Sequence, residues 1–144
     1  MKVENILNVK GADIIKAAKG DSIHETAKLL RENRIGAVLV DDGAGGIAGI
    51  ISERDIIGGL AQNGNGCLDM TVDSLMTTNV HVCAPTDTVD EVMSLMTERR
   101  IRHLPVTEGS TLVGLISIGD VVKHKIAETE QEAAALRDYI TTAG

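Results

Sequence analysis

Two serine–aspartate pairs, Ser52 with Asp55 and Ser117 with Asp120, have types and spacing suited to chemistry in this 144-residue chain. Each follows a glycine-led apolar stretch, Gly49-Ile50-Ile51 or Gly114-Leu115-Ile116, and precedes a helical pattern. That context puts Ser at an N-cap and Asp at the third helical position. Capping alone accounts for the pattern, because both side chains satisfy orphan backbone N–H groups and complement the helix dipole. The same atoms also suit a ribonucleotide. A helix N-terminus attracts phosphate, a Ser hydroxyl donates to a phosphate oxygen, and an Asp carboxylate accepts from both hydroxyls of a ribose.

The pair occurs twice because most of the chain is written twice. Asp21, Glu25, Leu29, Arg34, Ile35 and Val40 recur 66 residues later as Asp87, Glu91, Leu95, Arg100, Ile101 and Val106. The offset falls to 65 for Gly49/Gly114, Ser52/Ser117 and Asp55/Asp120, so one residue is dropped in the loop around Gly43–Gly46. Two copies of one supersecondary unit, each too small to bury its apolar face well, are expected to pack together.

Within each copy the pattern predicts strand, helix, strand, strand, helix. Ser22 with Glu25, and Thr88 with Glu91, are capping boxes opening helices, the first running to about Asn33. Ala37–Val40 with Ile47–Ile51, and Leu104–Val106 with Leu112–Ile116, predict strand pairs turned by Asp41-Asp42-Gly43 and Glu108-Gly109-Ser110. Helices follow at Arg54–Ala61 and from Gly119 onward, and a short strand is expected first in each copy, at Asp13–Ala17 and Asn79–Ala84. Helical leads, Val3–Leu7 and Val72–Met76, precede both copies, and Gln62–Gly66 reads as a polar linker. The expected domains are a first repeat at 3–62, a linker at 63–70, a second repeat at 71–126 and a C-terminal helical extension at 127–144.

Composition narrows the function classes. A net charge of −7 argues against nucleic-acid binding, and Tyr139 as the lone aromatic leaves no platform for stacking bases. An anionic ligand must then find a local cationic pocket. Cys67 and Cys83 form neither a zinc pattern nor a disulfide framework and read as reduced, buried thiols of a cytoplasmic protein. No apolar run has the length of a signal peptide or membrane span, so no membrane partner is expected. Gly43-Ala44-Gly45-Gly46-Ile47-Ala48 fits G-x-G-x-x-A but joins two strands, which makes it a hairpin loop. The four histidines share no metal-ligand spacing and no nucleophile–base arrangement stands out, so neither a metal, a catalytic cofactor nor enzyme activity is expected.

From about Val3 to Lys125 the chain resembles a tandem pair of cystathionine β-synthase (CBS) domains, a Bateman module. Ile101-Arg102-His103-Leu104-Pro105-Val106, followed by Gly114 to Asp120, is the most specific stretch. The resemblance implies an α/β (α+β) fold of two pseudo-symmetric β-α-β-β-α repeats, and a regulatory module binding AMP, ADP, ATP, NAD(H) or S-adenosylmethionine in two clefts. AMP or NAD(H) is the leading ligand. Carried over from the family, one cleft takes Ser117, Asp120, Arg102 and His103 with Asp13 and Ile14. The other takes Ser52 and Asp55 with Asn79 and Val80. Ile14, Ile101, Ile116 and Ile118 are expected to flank the adenine, and Lys123 to reach toward phosphate.

The clefts are expected to be unequal, because Gly36 and Ala37 stand where the second repeat has Arg102 and His103, with Arg54, Arg34 or a partner chain compensating only in part. The tail carries Val122, Ile126, Thr129, Ala133, Leu136 and Ile140 at alternating spacings of four and three. Such a seam suits a second helix, either through docking on its own domain or in a homodimer. The expected function is a stand-alone sensor that signals by conformational or dimer change to a target the sequence does not name. A ligand-free structural dimerisation module is the alternative.

Overall fold

Helix starts follow the duplicated caps. In the computed structural model, which describes residues 1–11 and 13–143 and so leaves out Ala12 and Gly144, Ser22 Oγ accepts from Glu25 N–H (3.1 Å) at the head of α2 (Ile23–Asn33). Thr88 Oγ1 accepts from Glu91 N–H (3.1 Å) at the head of α5 (Val89–Arg99). Both helices end on an arginine in the left-handed region, Arg34 (φ 53°) and Arg100 (φ 55°), a conformation that disfavours side chains bearing a Cβ. The remaining helices are α1 (Val3–Lys10), α3 (Glu53–Asn63), α4 (Val72–Leu75) and α6 (Ile118–Ala143).

Strands β1 (Lys16–Ala18), β2 (Ala37–Asp41) and β3 (Ile47–Ser52) form one sheet in that order, with β1 parallel and β3 antiparallel to β2. Strands β4 (His103–Glu108) and β5 (Thr111–Ser117) form a second sheet. The strand expected at Asn79–Ala84 is reduced to one parallel bridge, Cys83 with Val106. Cys83 N–H donates to Pro105 O (3.0 Å) and Thr107 N–H to Cys83 O (2.8 Å). Pro105 stands where the first repeat has Leu39 and has no N–H to carry the ladder back toward residue 81. The first-repeat strand is likewise shorter than expected, and the polar Gln62–Gly66 stretch is the end of α3 running into a 3₁₀ turn, Gly64–Asp69.

The chain divides into two compact units that do not follow sequence order: residues 1–12, 82–109 and 113–144 form one, and 13–81 with 110–112 the other. The lead helices explain this. In the first unit Val3 N–H bonds Asp87 O (2.9 Å) and Val89 N–H bonds Met1 O (3.0 Å), which fastens α1 beside the head of α5. In the other unit Val72 N–H bonds Asp21 O (2.8 Å) and Ile23 N–H bonds Met70 O (2.9 Å), fastening α4 beside the head of α2. Each lead therefore completes the repeat that it does not immediately precede.

The two cores are built from equivalent positions. Val89, Met96, Leu104, Val106, Ile116 and Val121 fill one, and Ile23, Leu30, Val38, Val40, Ile51 and Ile56 the other, with Val3 and Val72 added by the leads. Cys83 and Cys67 are free thiols buried within these cores. Among the described residues no helix is long and apolar enough to cross a membrane.

Candidate functional site

In each unit, the last strand of the repeat delivers a serine to the mouth of a helix. Both serine–aspartate pairs are closed as reciprocal caps. Ser52 N–H donates to Asp55 Oδ2 (2.9 Å) while Asp55 N–H donates to Ser52 Oγ (3.3 Å) at the start of α3. Ser117 N–H donates to Asp120 Oδ2 (2.9 Å) and Asp120 N–H to Ser117 Oγ (3.2 Å) at the start of α6. The capping role is thus real in both copies. All of the carboxylate bonds fall on Oδ2, and Oδ1 of each aspartate has no hydrogen-bond partner among the described residues.

The strand before each helix also contributes equivalently, through Arg102 O accepting from Ile118 N–H (2.8 Å) and Gly36 O from Glu53 N–H (2.9 Å). This pairing places Arg102 at the mouth of α6 and a glycine at the mouth of α3. Arg102 is exposed and His103, which opens β4, is half-buried; the corresponding Ala37 is fully in the core. The helix mouths differ in charge as well, because the first turn of α3 carries Glu53 besides Asp55 and that of α6 only Asp120.

A residue absent from the sequence reading sharpens the contrast. Lys10, the last residue of α1, places Nζ 2.7 Å from Asp120 Oδ2 and 2.8 Å from Leu115 O. Leu7, one turn earlier, lies against Gly114, where a Cβ would meet its Cδ2 at 2.5 Å. Burial alone would raise the Asp120 carboxyl, but the hydrogen bond and charge of Lys10, with the Ser117 amide, outweigh it and hold the group below the usual carboxylate range. At the other box the Ser52 hydroxyl donates to Asp55 Oδ2 (3.1 Å), whereas Asp120 Oδ2 receives the Lys10 ammonium. Aligning the leads from Val3 and Val72 puts Asn79 opposite Lys10, an offset of 69 that the 66-residue repeat conceals.

The remaining expected residues are placed as follows. In the unit of residues 82–144, Ile101 and Ile118 are half-buried against the core and Lys123 is exposed on α6. Ile116 is 0% exposed, so the expectation that it flanks a base is corrected: its side chain points into the core from the strand alternation of β5. In the unit of residues 13–81, Thr77 pairs with Ile50 through Ile50 N–H to Thr77 O (3.0 Å) and Thr77 N–H to Ile50 O (2.8 Å), which leads exposed Asn79 and half-buried Val80 off the edge of β3. Gly49 permits this approach, since a Cβ there would stand 2.6 Å from Thr77 O. Arg54 and Asp13 are exposed and Ile14 half-buried in that same unit. A cavity of about 510 Å³ between α2 and α3 is lined by Arg31, Arg34, Glu53 and aliphatic side chains and includes neither Ser52 nor Asp55. No group of three or more His, Cys, Asp or Glu among the described residues is arranged to hold a metal ion.

Comparison with known proteins agrees with this architecture. The chain is 34% identical over 124 residues to the mitochondrial CBS domain-containing protein CBSX3 of Arabidopsis thaliana, covering 83% of this chain and 60% of that protein. It superposes with a TM-score of 0.85 on the crystal structure of the CBS-domain containing protein ATU1752 from Agrobacterium tumefaciens, at 42% identity, covering 87% of this chain and 99% of that one. It also matches the CBS domain pair of protein MJ0100, solved in complex with 5′-methylthioadenosine and S-adenosyl-L-methionine, with a TM-score of 0.79 and 29% identity over 89% of this chain and 98% of that one. The family model for the CBS domain matches residues 8–62 and 72–127, and with its duplicated strand-to-helix boxes the chain belongs to the CBS-domain family as a tandem pair.

Proposed function

We propose that this CBS pair is a regulatory module that binds adenosine nucleotides at two unequal sites, one at each serine–aspartate box. The observation that carries the reading is the geometry of the boxes: an aspartate at a helix mouth with one carboxylate oxygen committed to the cap and the other without a hydrogen-bond partner among the described residues. The complex of the similar MJ0100 pair with two adenosine compounds supports the ligand class. AMP, ADP, ATP and NAD(H) share the adenosine end that these residues would meet.

At the stronger site Asp120 takes the ribose, Ser117 and the head of α6 take the phosphate, Arg102, Lys10 and Lys123 supply positive charge, and His103 supplies a ring N–H. Ile101 and Ile118 offer aliphatic surface to the base. At the weaker site Ser52 and Asp55 play the same parts with Arg54, Asn79 and Val80. Binding signals by favouring one arrangement of the protein, or of its dimer, over another, which requires different ligand affinities for the two.

The closed caps favour a second reading, a structural pair without ligand. Thermal melting with AMP, ATP, NADH and S-adenosylmethionine separates the two. At a hundredfold excess over the dissociation constant a one-site ligand adds about 2.7 kcal/mol, several degrees for a chain of this size. An unmoved midpoint with all four compounds at millimolar concentration overturns the sensor reading.

A further inference from the structure

Helix α6 runs on well past Val121, the last buried residue of the helix among the described residues. Val122, Ile126, Leu136 and Ile140 are 42%, 55%, 60% and 61% exposed, and Thr129 and Ala133 between them are exposed too. Docking of this seam on its own domain, one of the two expectations from sequence, is therefore not what the structure shows. The spacings of four and three assign Ile126, Ala133 and Ile140 to the a positions of a heptad and Val122, Thr129 and Leu136 to the d positions. Ile126 and Ile140 at a with Leu136 at d follow the preference of a two-stranded parallel coil, and Val122, Thr129 and Ala133 fill the remaining seam positions.

The flanking charges select the partner and its direction. Lys125 and Glu132 fall at g, and Glu130 and Arg137 at e. In a parallel, in-register pair each g residue meets the e residue five positions later on the other helix, so Lys125 faces Glu130 and Glu132 faces Arg137, opposite signs in every case. An antiparallel pair that keeps all six seam positions in contact sets Glu130 against Glu130, Glu132 against Glu132 and Lys123 against Arg137. Like charges so placed are unfavourable. Lys125 already bonds Asp90 on its own chain (2.9 Å), which leaves Glu132 with Arg137 as the deciding pair.

We propose that the exposed seam of α6 from Val122 to Ile140 is a self-association surface whose occupant is the same helix of a second copy, parallel and in register. It deepens the dimer element of the proposed function and does not depend on nucleotide binding.

Sedimentation analysis of the full chain tests it without ligand. Wild type is expected as a dimer, and Ile126→Glu with Leu136→Glu, both on exposed positions, is expected to be a folded monomer. Arg137→Glu is expected to weaken the dimer about tenfold, and adding Glu132→Lys to restore it. Direction is read by mild oxidation of Ile140→Cys against Asp138→Cys on the outer face, the two native thiols being buried. In a parallel pair the 140 positions adjoin, whereas in the antiparallel pair they stand about 27 Å apart. Rapid cross-linking of Ile140→Cys alone supports the proposal. A monomeric wild type, an unchanged dimer in the double glutamate variant, no rescue by the charge swap, or equal cross-linking of the two cysteine variants overturns it, and none of these bears on whether nucleotide binds.

Discussion

The inequality of the two boxes can be measured by removing charge without removing the cap. Asp120→Asn and Asp55→Asn both keep an oxygen able to accept the serine N–H, so each helix start survives. Each loses the charged acceptor for two ribose hydroxyls. Hydrogen bonds to a charged partner contribute about 1.5–3 kcal/mol, against about 0.5–1.5 for neutral ones, so two weakened bonds cost about 2 kcal/mol, or roughly thirtyfold in affinity. At Asp120 one effect opposes this. Lys10 loses its ion partner 2.7 Å away and its charge becomes available to phosphate. With Lys10 and Asp120 side chains 38% and 25% exposed, that return is limited to about 1 kcal/mol, and the loss still dominates.

Calorimetric titration with AMP should therefore show two classes in the wild type, with Asp120→Asn depleting the tighter and Asp55→Asn only the weaker. Adenosine provides the control. It has no phosphate for Lys10 and Arg102 to meet, so its preference for one box over the other should nearly vanish. Loss of the tighter class through Asp55→Asn, or an adenosine preference as large as that of AMP, refutes the argument from charge.

Other outcomes follow from the same geometry. A double-mutant cycle of Lys10→Met and Asp120→Asn in urea should return a coupling of about 1 kcal/mol at pH 7. Because the folded carboxyl is held low, this stability is present above the ordinary carboxylate range and is lost as pH falls below about 4; a coupling unchanged in acid contradicts the pairing. Burial, aided by Asp87, pushes the Cys83 thiol up to about 12, and Cys67 is 0% exposed, so Ellman's reagent at pH 8 should label neither in the native protein and both in guanidinium. Arg34→Gly and Arg100→Gly relieve left-handed backbone and should each add about 0.5–1 kcal/mol in urea unfolding, whereas lower midpoints for both would deny the strain. Gly49→Ala should destabilise by about 2 kcal/mol and Gly114→Ala by less, since the first meets backbone oxygen and the second the end of a movable leucine; equal losses would count against the Thr77 contact.

Much of this was legible because duplication doubles every signal. Ser22 and Thr88 announced both helix heads, and the switch of offset from 66 to 65 located the shortened hairpin and aligned Ser52 with Ser117. What escaped were features depending on partners distant in sequence. The strand at Asn79–Ala84 failed because a proline on its neighbour removes a donor, which no periodicity within 79–84 can reveal. Lys10 escaped because it lies 110 residues from Asp120 and its lead follows a different offset. Ile116 stands next to Ser117 in the sequence, yet strand alternation turns it inward beside that half-buried serine.

The exchange of lead helices bears on how the chain is made. A ribosome releases residues 13–81 before residues 82–143, and they contain nearly everything that one unit needs, including α4. Helix α1 emerges ahead of these residues but finds the head of α5 and the strands of its own unit only after residues 82–117 have followed. Val3 and Ile6 must therefore wait uncovered until the strands and helices that cover them have been made, and Lys10 meets Asp120 only after a further 110 residues.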